Sequence, residues 1–252
     1  MAAKLHAAEC GAGETTLVLL HGFGASHHVW EAAAARLAGR TRILAYDLPA
    51  HGASLDFPGG GPVRVAVDAV LDDLSARGIE RFNLAGHSMG GAISALIALK
   101  APERVSSLTL VCPGGFGPGI NMRLLSRYGR ATQADEIRTC LENMYGWNTE
   151  VPEAEVEQLV ALRRRPGQRE KLEAIAAGMT RDGVQGVIPR DKLAQLPMPV
   201  KVLWGTQDRV LPAEQVRDLP AIFAAHVFDG AGHMLLDEEP DAVVRLIGEN
   251  LR

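Results

Sequence analysis

Residues 86 to 91 read Gly86-His87-Ser88-Met89-Gly90-Gly91, a Gly-x-Ser-x-Gly pattern between an apolar run (Phe82, Leu84, Ala85) and a helix-like run (Ile93, Leu96, Ile97). A chain that passes from strand to helix through one residue forces that residue into a strained conformation. Glycines two positions to either side let the backbones close in. The serine Oγ is then held clear of its own backbone at a helix N-terminus, the placement a nucleophile requires. A glycine-rich turn that only packs a helix on a sheet does not need serine at its apex.

Serine is a weak nucleophile at its free pKa, so it needs a base and a group to orient that base. Ala225, Val227 and Phe228 belong to an apolar stretch that ends in Asp229-Gly230-Ala231-Gly232-His233, setting His233 in a loop past a strand. Val200-Lys201-Val202-Leu203-Trp204 is a second strand, and Asp208 follows its end. Taken singly, these are a loop histidine with no task and an aspartate capping a turn. Together, Ser88, Asp208 and His233 follow the chain order of one class of nucleophilic triad. A further buried run, Thr16 to Leu20, leads into His21-Gly22-Phe23-Gly24. Acyl transfer develops negative charge on the carbonyl oxygen, and the backbone amides of Phe23 and Met89 are the candidate oxyanion donors. His21 reads as a brace for that loop, and His27 and His28 as loop or pocket-rim residues.

With these segments in hand, the chain resembles the α/β-hydrolase superfamily over nearly its whole length. The matching segments are His21-Gly22-Phe23-Gly24 with Trp30 behind it, Asp47 to Ser54, Gly86 to Gly91, Trp204 to Pro212 and Gly232-His233-Met234. Ala50 stands where family members usually have glycine, a departure expected to cost little because the turn keeps Gly52. Pro113 to Asn121 and the segment around Ser88 are similar to the hydrolase-like catalytic domain of acetoin dehydrogenase acyltransferase components. The lipoyl-carrying module of those components is not expected here, nor an acyl-shuttling arm of the chain's own. The resemblance implies a mostly parallel central sheet with helices on both faces.

The chain's 252 residues, 47% of them hydrophobic, suffice for one large core. A net charge of −4 gives no electrostatic reason to expect nucleic acid. Three scattered cysteines, Cys10, Cys112 and Cys140, suit free thiols in a reducing cytoplasm. Met1 to Glu14 lacks the apolar core of a signal peptide, and no run reaches the ~18 apolar residues of a membrane span. A cytoplasmic enzyme is expected, with neither membrane nor nucleic acid as partner.

Strands are expected at 16–20, 42–47, 81–86, 105–111, 199–204 and 224–228, with an earlier one within 3–8. Helical patterns fall at 28–38, 62–77, 89–100, 213–218 and 239–251. From Gly114 to Leu196 no strand is expected, and apolar residues recur at helix spacing, for example Ile137, Leu141, Met144 and Tyr145. The expected organisation is a hydrolase core of residues 1–113 and 197–252 with a helical cap insertion at 114–196. Most apolar cap residues read as the cap's own core. Met122, Tyr145 and Trp147 are the candidate substrate contacts. Arg163-Arg164-Arg165 reads as a solvated helix C-terminus, with an anionic-substrate clamp as the alternative.

The resulting expectation is a serine esterase that cleaves a small or medium carboxylic ester through an acyl-enzyme, with no metal and no cofactor. Three alternatives stay open: acyl transfer to a thiol or alcohol, carbon–carbon bond hydrolysis, and a ligand receptor of slow turnover.

Overall fold

Buried parallel strands read as unbroken apolar runs because helices cover both of their faces. Every residue of Thr16–Leu20 and Phe82–His87 is buried, the polar Asn83 and His87 of the second strand being satisfied by hydrogen bonds. The computed structural model describes residues 4–217 and 219–252. Its strands are β1 (Ala7–Cys10), β2 (Thr16–Leu20), β3 (Arg42–Tyr46), β4 (Phe82–His87), β5 (Val105–Val111), β6 (Thr180–Arg181), β7 (Val184–Gln185), β8 (Val200–Gly205) and β9 (Phe223–Phe228). Seven of them form one sheet in the order β1-β3-β2-β4-β5-β8-β9. All its pairings are parallel except that of β1 with β3.

The helices are α1 (Glu31–Leu37), α2 (Val63–Ala76), α3 (Met89–Lys100), α4 (Met122–Arg130), α5 (Ala134–Glu142), α6 (Glu153–Arg163), α7 (Gln168–Gly178), α8 (Arg190–Leu193), α9 (Leu235–Glu238) and α10 (Pro240–Asn250). The pairs α1 with α10 and α2 with α3 pack against each other and flank the sheet. Helices α4 to α8 lie between β5 and β8 as a helical insertion. The sheet is tied to the C-terminus by buried Asn83, whose Oδ1 accepts from Ser107 Oγ (2.7 Å) and from the Arg252 amide (2.9 Å).

Several boundaries differ from the sequence expectation. The first strand is Ala7–Cys10 rather than a stretch within 3–8, because pairing of Ala7 with Tyr46 and Cys10 with Ile43 fixes its register; residues 1 to 3 lie outside the described residues. Expected helix 28–38 opens with a 3₁₀ turn at His27–Trp30 before α1. The expected helix 239–251 is α10, Pro240–Asn250, with Pro240 in its first turn, and the short α9 (Leu235–Glu238) before it is not expected. The expected helix at 213–218 is a 3₁₀ turn, Ala213–Val216, and residue 218 lies outside the described residues. The insertion also contains a strand pair, β6 with β7, where none is expected. Its turn carries positive φ at both Asp182 (53°) and Gly183 (80°), the signature of an Asp-Gly hairpin. Ala50 adopts φ 67°, so the departure from glycine there is not free: a left-handed alanine costs about 1–2 kcal/mol.

Candidate active site

β4 delivers the chain directly into α3 through Ser88, which sits at φ 54° and ψ −116°. Such a conformation costs roughly 1–3 kcal/mol and persists only where its surroundings fix it. Here the Ser88 amide donates to Val111 O (2.9 Å), and the Ser88 carbonyl accepts from Ala92 (3.1 Å) and Gly114 (3.0 Å). A Cβ on Gly86 would lie 2.3 Å from Gly90 O, and one on Gly90 would lie 2.3 Å from Leu20 O. The flanking glycines are therefore obligatory for this crossing of strand and helix.

The loops after β8 and β9 bring Asp208 and His233 together, with Asp208 Oδ2 2.8 Å from His233 Nδ1. The other carboxylate oxygen accepts the amides of Val210 (2.9 Å) and Leu211 (2.8 Å), so the Asp208 side chain is held on both sides. With Nδ1 donating to Asp208, Nε2 is the nitrogen left to accept a proton. The His233 backbone is fixed as well: its amide donates to Met144 O (2.7 Å), and its carbonyl accepts from His87 Nε2 (2.9 Å). His87 is a residue sequence reasoning left as an unassigned position of the pentapeptide. Burial pushes its imidazole down to about 3, helped by the neighbouring His233, so it serves as a neutral donor.

Ser88, His233, Gly22 and Phe23 meet on the walls of a small cavity of about 30 Å³. Among the described residues, neither the Phe23 nor the Met89 amide donates to a backbone acceptor outside the regular elements. The loop bearing Phe23 is pinned on three sides. His21 Nε2 accepts the Leu48 amide (3.0 Å), which places its proton on Nδ1, 2.7 Å from Gly22 O. His51 Nε2 accepts the Gly24 amide (3.1 Å), and burial pushes this imidazole down to about 3. Arg163 at the end of α6 donates from Nη1 to Gly24 O (2.8 Å). Its guanidinium lies over the Tyr128 ring, 5.0 Å from the centroid.

Arg163 is thus buried, at 4% exposure, and the solvated-face expectation fails for it because the loop at Gly24 covers it. His27 and His28 brace the neighbouring turn: Asp47 Oδ1 accepts the His27 amide (2.8 Å) and faces His27 Nδ1 at 2.9 Å, and His28 Nδ1 lies 2.8 Å from His27 Nε2. Burial alone would raise the Asp47 carboxyl, yet these bonds and the Ala53 amide hold it well below the usual carboxylate range.

The structure does not bring Met122, Tyr145 or Trp147 to the cavities that Ser88 lines. Tyr145 is buried, its hydroxyl contacting Glu155 and Asp237, and Trp147 is 70% exposed. A second, larger cavity of about 990 Å³ opens from Ser88 and Phe23 along α3. Near the serine its walls include Met89, Ile120, Leu125, Gln185 and Leu211. Cys112, Asp208 and His233 group closely enough to share a metal ion, but Asp208 and His233 spend their facing atoms on each other.

The sequence pattern of the alpha/beta hydrolase family matches residues 17–246, and the chain belongs to that family. It is similar to the dihydrolipoyllysine-residue acetyltransferase component of the acetoin cleaving system of Cupriavidus necator, 31% identical over 98% of this chain and 66% of that protein. The chain therefore spans just under two thirds of that relative's length. It is also similar to the 2-hydroxy-6-oxononadienedioate/2-hydroxy-6-oxononatrienedioate hydrolase of Burkholderia vietnamiensis, 30% identical over 99% of this chain and 91% of that protein. Among solved structures, the 2-hydroxy-6-oxo-6-phenylhexa-2,4-dienoate hydrolase of Rhodococcus sp. strain RHA1 aligns with TM-score 0.83 at 26% identity, covering 98% and 94% of the two chains. Among the described residues no helix is long and apolar enough to cross a membrane.

Proposed function

We propose that Ser88, His233 and Asp208 form an acyl-enzyme triad and that the bond they break is a carbon–carbon bond beside a ketone in an oxo compound. The observation that carries this reading is a buried pair of carboxyls, Glu155 and Asp237, joined through Tyr145 Oη on the wall of the small cavity at Ser88. Tyr145 Oη contacts Glu155 Oε2 and lies 2.9 Å from Asp237 Oδ2. A phenol has one proton and donates to one acceptor, so the second contact requires a carboxyl that donates back. Burial, together with the Asp237 charge, pushes Glu155 up to about 7. Glu155 and Asp237 line the same cavity as Ser88 and His233.

Such an acid matters for the leaving group. Ser88 Oγ attacks the ketone carbon while His233 Nε2 takes its proton, and the amides of Phe23 and Met89 receive the developing oxyanion. Collapse breaks the carbon–carbon bond, and its electron pair goes to a carbon that needs a proton at once; an ester's alkoxide can take its proton from His233 alone. Glu155 gives that proton, and the proton that His233 took from Ser88 passes to the Glu155 carboxylate, which restores a neutral imidazole. Water deprotonated by His233 Nε2 then attacks the acyl carbon, the serine ester bond breaks as Ser88 Oγ retakes the proton from His233, and the acid leaves. The Burkholderia vietnamiensis and Rhodococcus relatives, named for hydrolysis of oxo-dienoates, support the same reading. A carboxylic ester is the second reading, favoured by the apolar serine end of the larger cavity.

The test offers a vinylogous diketone and a p-nitrophenyl ester of matched size to the same enzyme. The diketone is expected to have the higher kcat/KM, and Glu155→Gln is expected to lower its turnover about 10²-fold while affecting the ester less. Turnover of the ester alone overturns carbon–carbon cleavage. Failure of a fluorophosphonate to label Ser88, or full activity in Ser88→Ala, overturns the triad.

A further inference from the structure

Along α3, Met89, Ala92, Leu96 and Leu99 line the larger cavity and are only half-buried. Their spacing of three and four residues places them on one stripe of the helix. An apolar stripe that no protein layer covers marks a ligand groove. Val63 and Val67 of α2 form one wall, and Ile188 and Leu196 contribute another. The stripe begins beside Ser88 and ends at Lys100, a span of about 16 Å at about 1.5 Å rise per residue. Lys100, which ends α3, pairs with Asp68 of α2 at the far end, and the lining also includes Arg64 and Lys192 against no further acid.

Resting on the acyl-enzyme reading above, we propose that this groove binds the acyl part of the substrate as a long linear chain with an anionic terminus. An extended chain advances about 1.2 Å per bond, so some twelve bonds separate the carbonyl at Ser88 from the cationic end. A short acyl group would leave most of the stripe wet. The groove's length, and Arg64 and Lys192 on its wall with no ion pair among the described residues, fit an ω-carboxyl chain, with Leu96 near the midpoint setting how far the chain can run.

Calorimetric binding of butanoate, dodecanoate and dodecanedioate to the intact protein tests this without any turnover. Dodecanoate is expected to bind at least about tenfold tighter than butanoate, since each buried methylene adds to affinity. Dodecanedioate is expected to bind tighter still, with that extra step lost in Lys192→Glu. Leu96→Trp, and independently Leu99→Trp, should remove most of the gain from chain length. Equal affinities for the three acids, or a chain-length gain that survives both tryptophans, overturn the groove assignment. Tight binding of dodecanoate with no preference for dodecanedioate overturns the anionic terminus. The outcome is separate from fluorophosphonate labelling of Ser88, so failure of the triad and failure of the groove are told apart.

Discussion

At the scale of single residues, Arg163 shows how a charge can serve position at little benefit to stability. Its Nη1 bonds Gly24 O, while Nε and Nη2 have no hydrogen-bond partner. Burying a guanidinium without a carboxylate is costly, so replacing it by an apolar side chain of similar length removes a penalty along with a bond. Arg163→Met is therefore expected to leave the melting temperature within a few degrees. The loop that carries Phe23 loses one of its three anchors, however, and a misplacement of about 1 Å near reacting groups costs on the order of 10²-fold in rate. Steady-state kinetics should show kcat falling about 10- to 10²-fold with a small change in KM. A variant with wild-type kcat would assign Arg163 to packing against Tyr128 instead.

At the scale of elements, the histidine loop depends on the insertion. The segment after α5 runs against the loop after β9: His233 donates to Met144 O (2.7 Å) and Trp147 to Gly230 O (3.0 Å). A Cβ on Gly146 would lie 2.0 Å from Gly230 O, and one on Gly232 would lie 2.4 Å from Met144 O. Gly146→Ala must push these backbones apart, and is expected to slow fluorophosphonate labelling at least tenfold while far-ultraviolet circular dichroism stays unchanged; unaltered labelling would show that the two segments move independently. Dependence of this kind is also what sequence reading misses. Strand 16–20 is legible to the residue because a buried parallel strand favours a near-continuous apolar run, and strand 105–111 is legible because the β-branched and apolar Val105, Leu108, Thr109, Leu110 and Val111 bound and fill it. The order Ser88, Asp208, His233 is legible because each residue follows a strand end, and the structure puts Asp208 against His233. Tyr145 and Trp147 are not, since helix spacing marks an apolar face without saying whether protein, ligand or water meets it. Arg163 is not, because its partner Gly24 is 139 residues away. The Asp182-Gly183 hairpin was signalled locally and lay hidden within a helical stretch.

At the scale of the whole molecule, the buried histidines set how stability responds to pH. His51 and His87 titrate at about 3 in the folded protein against about 6.5 when unfolded. Below about pH 6.5 the unfolded chain thus binds about two protons that the folded chain refuses. Glu155 works in the opposite sense: raised to about 7, it holds a proton when folded that it releases on unfolding above its ordinary value near 4.5. Between about pH 5 and 6 the net uptake on unfolding is about one proton, so stability should rise by about 1.4 kcal/mol per pH unit. His21, also lowered by burial, adds to the rise. At about pH 6.5 the unfolded histidines are half titrated and still outweigh Glu155, and near pH 7 the two contributions cancel. Urea unfolding at intervals from pH 5 to 8 should therefore show a rise that levels off near pH 7. Glu155→Gln should steepen the acid limb by about one proton, while His87→Asn should make it shallower by about one proton. A flat acid limb in the wild type would mean that the buried histidines gain protons without unfolding, which His51 Nε2 opposes by accepting the Gly24 amide and which burial opposes at His87.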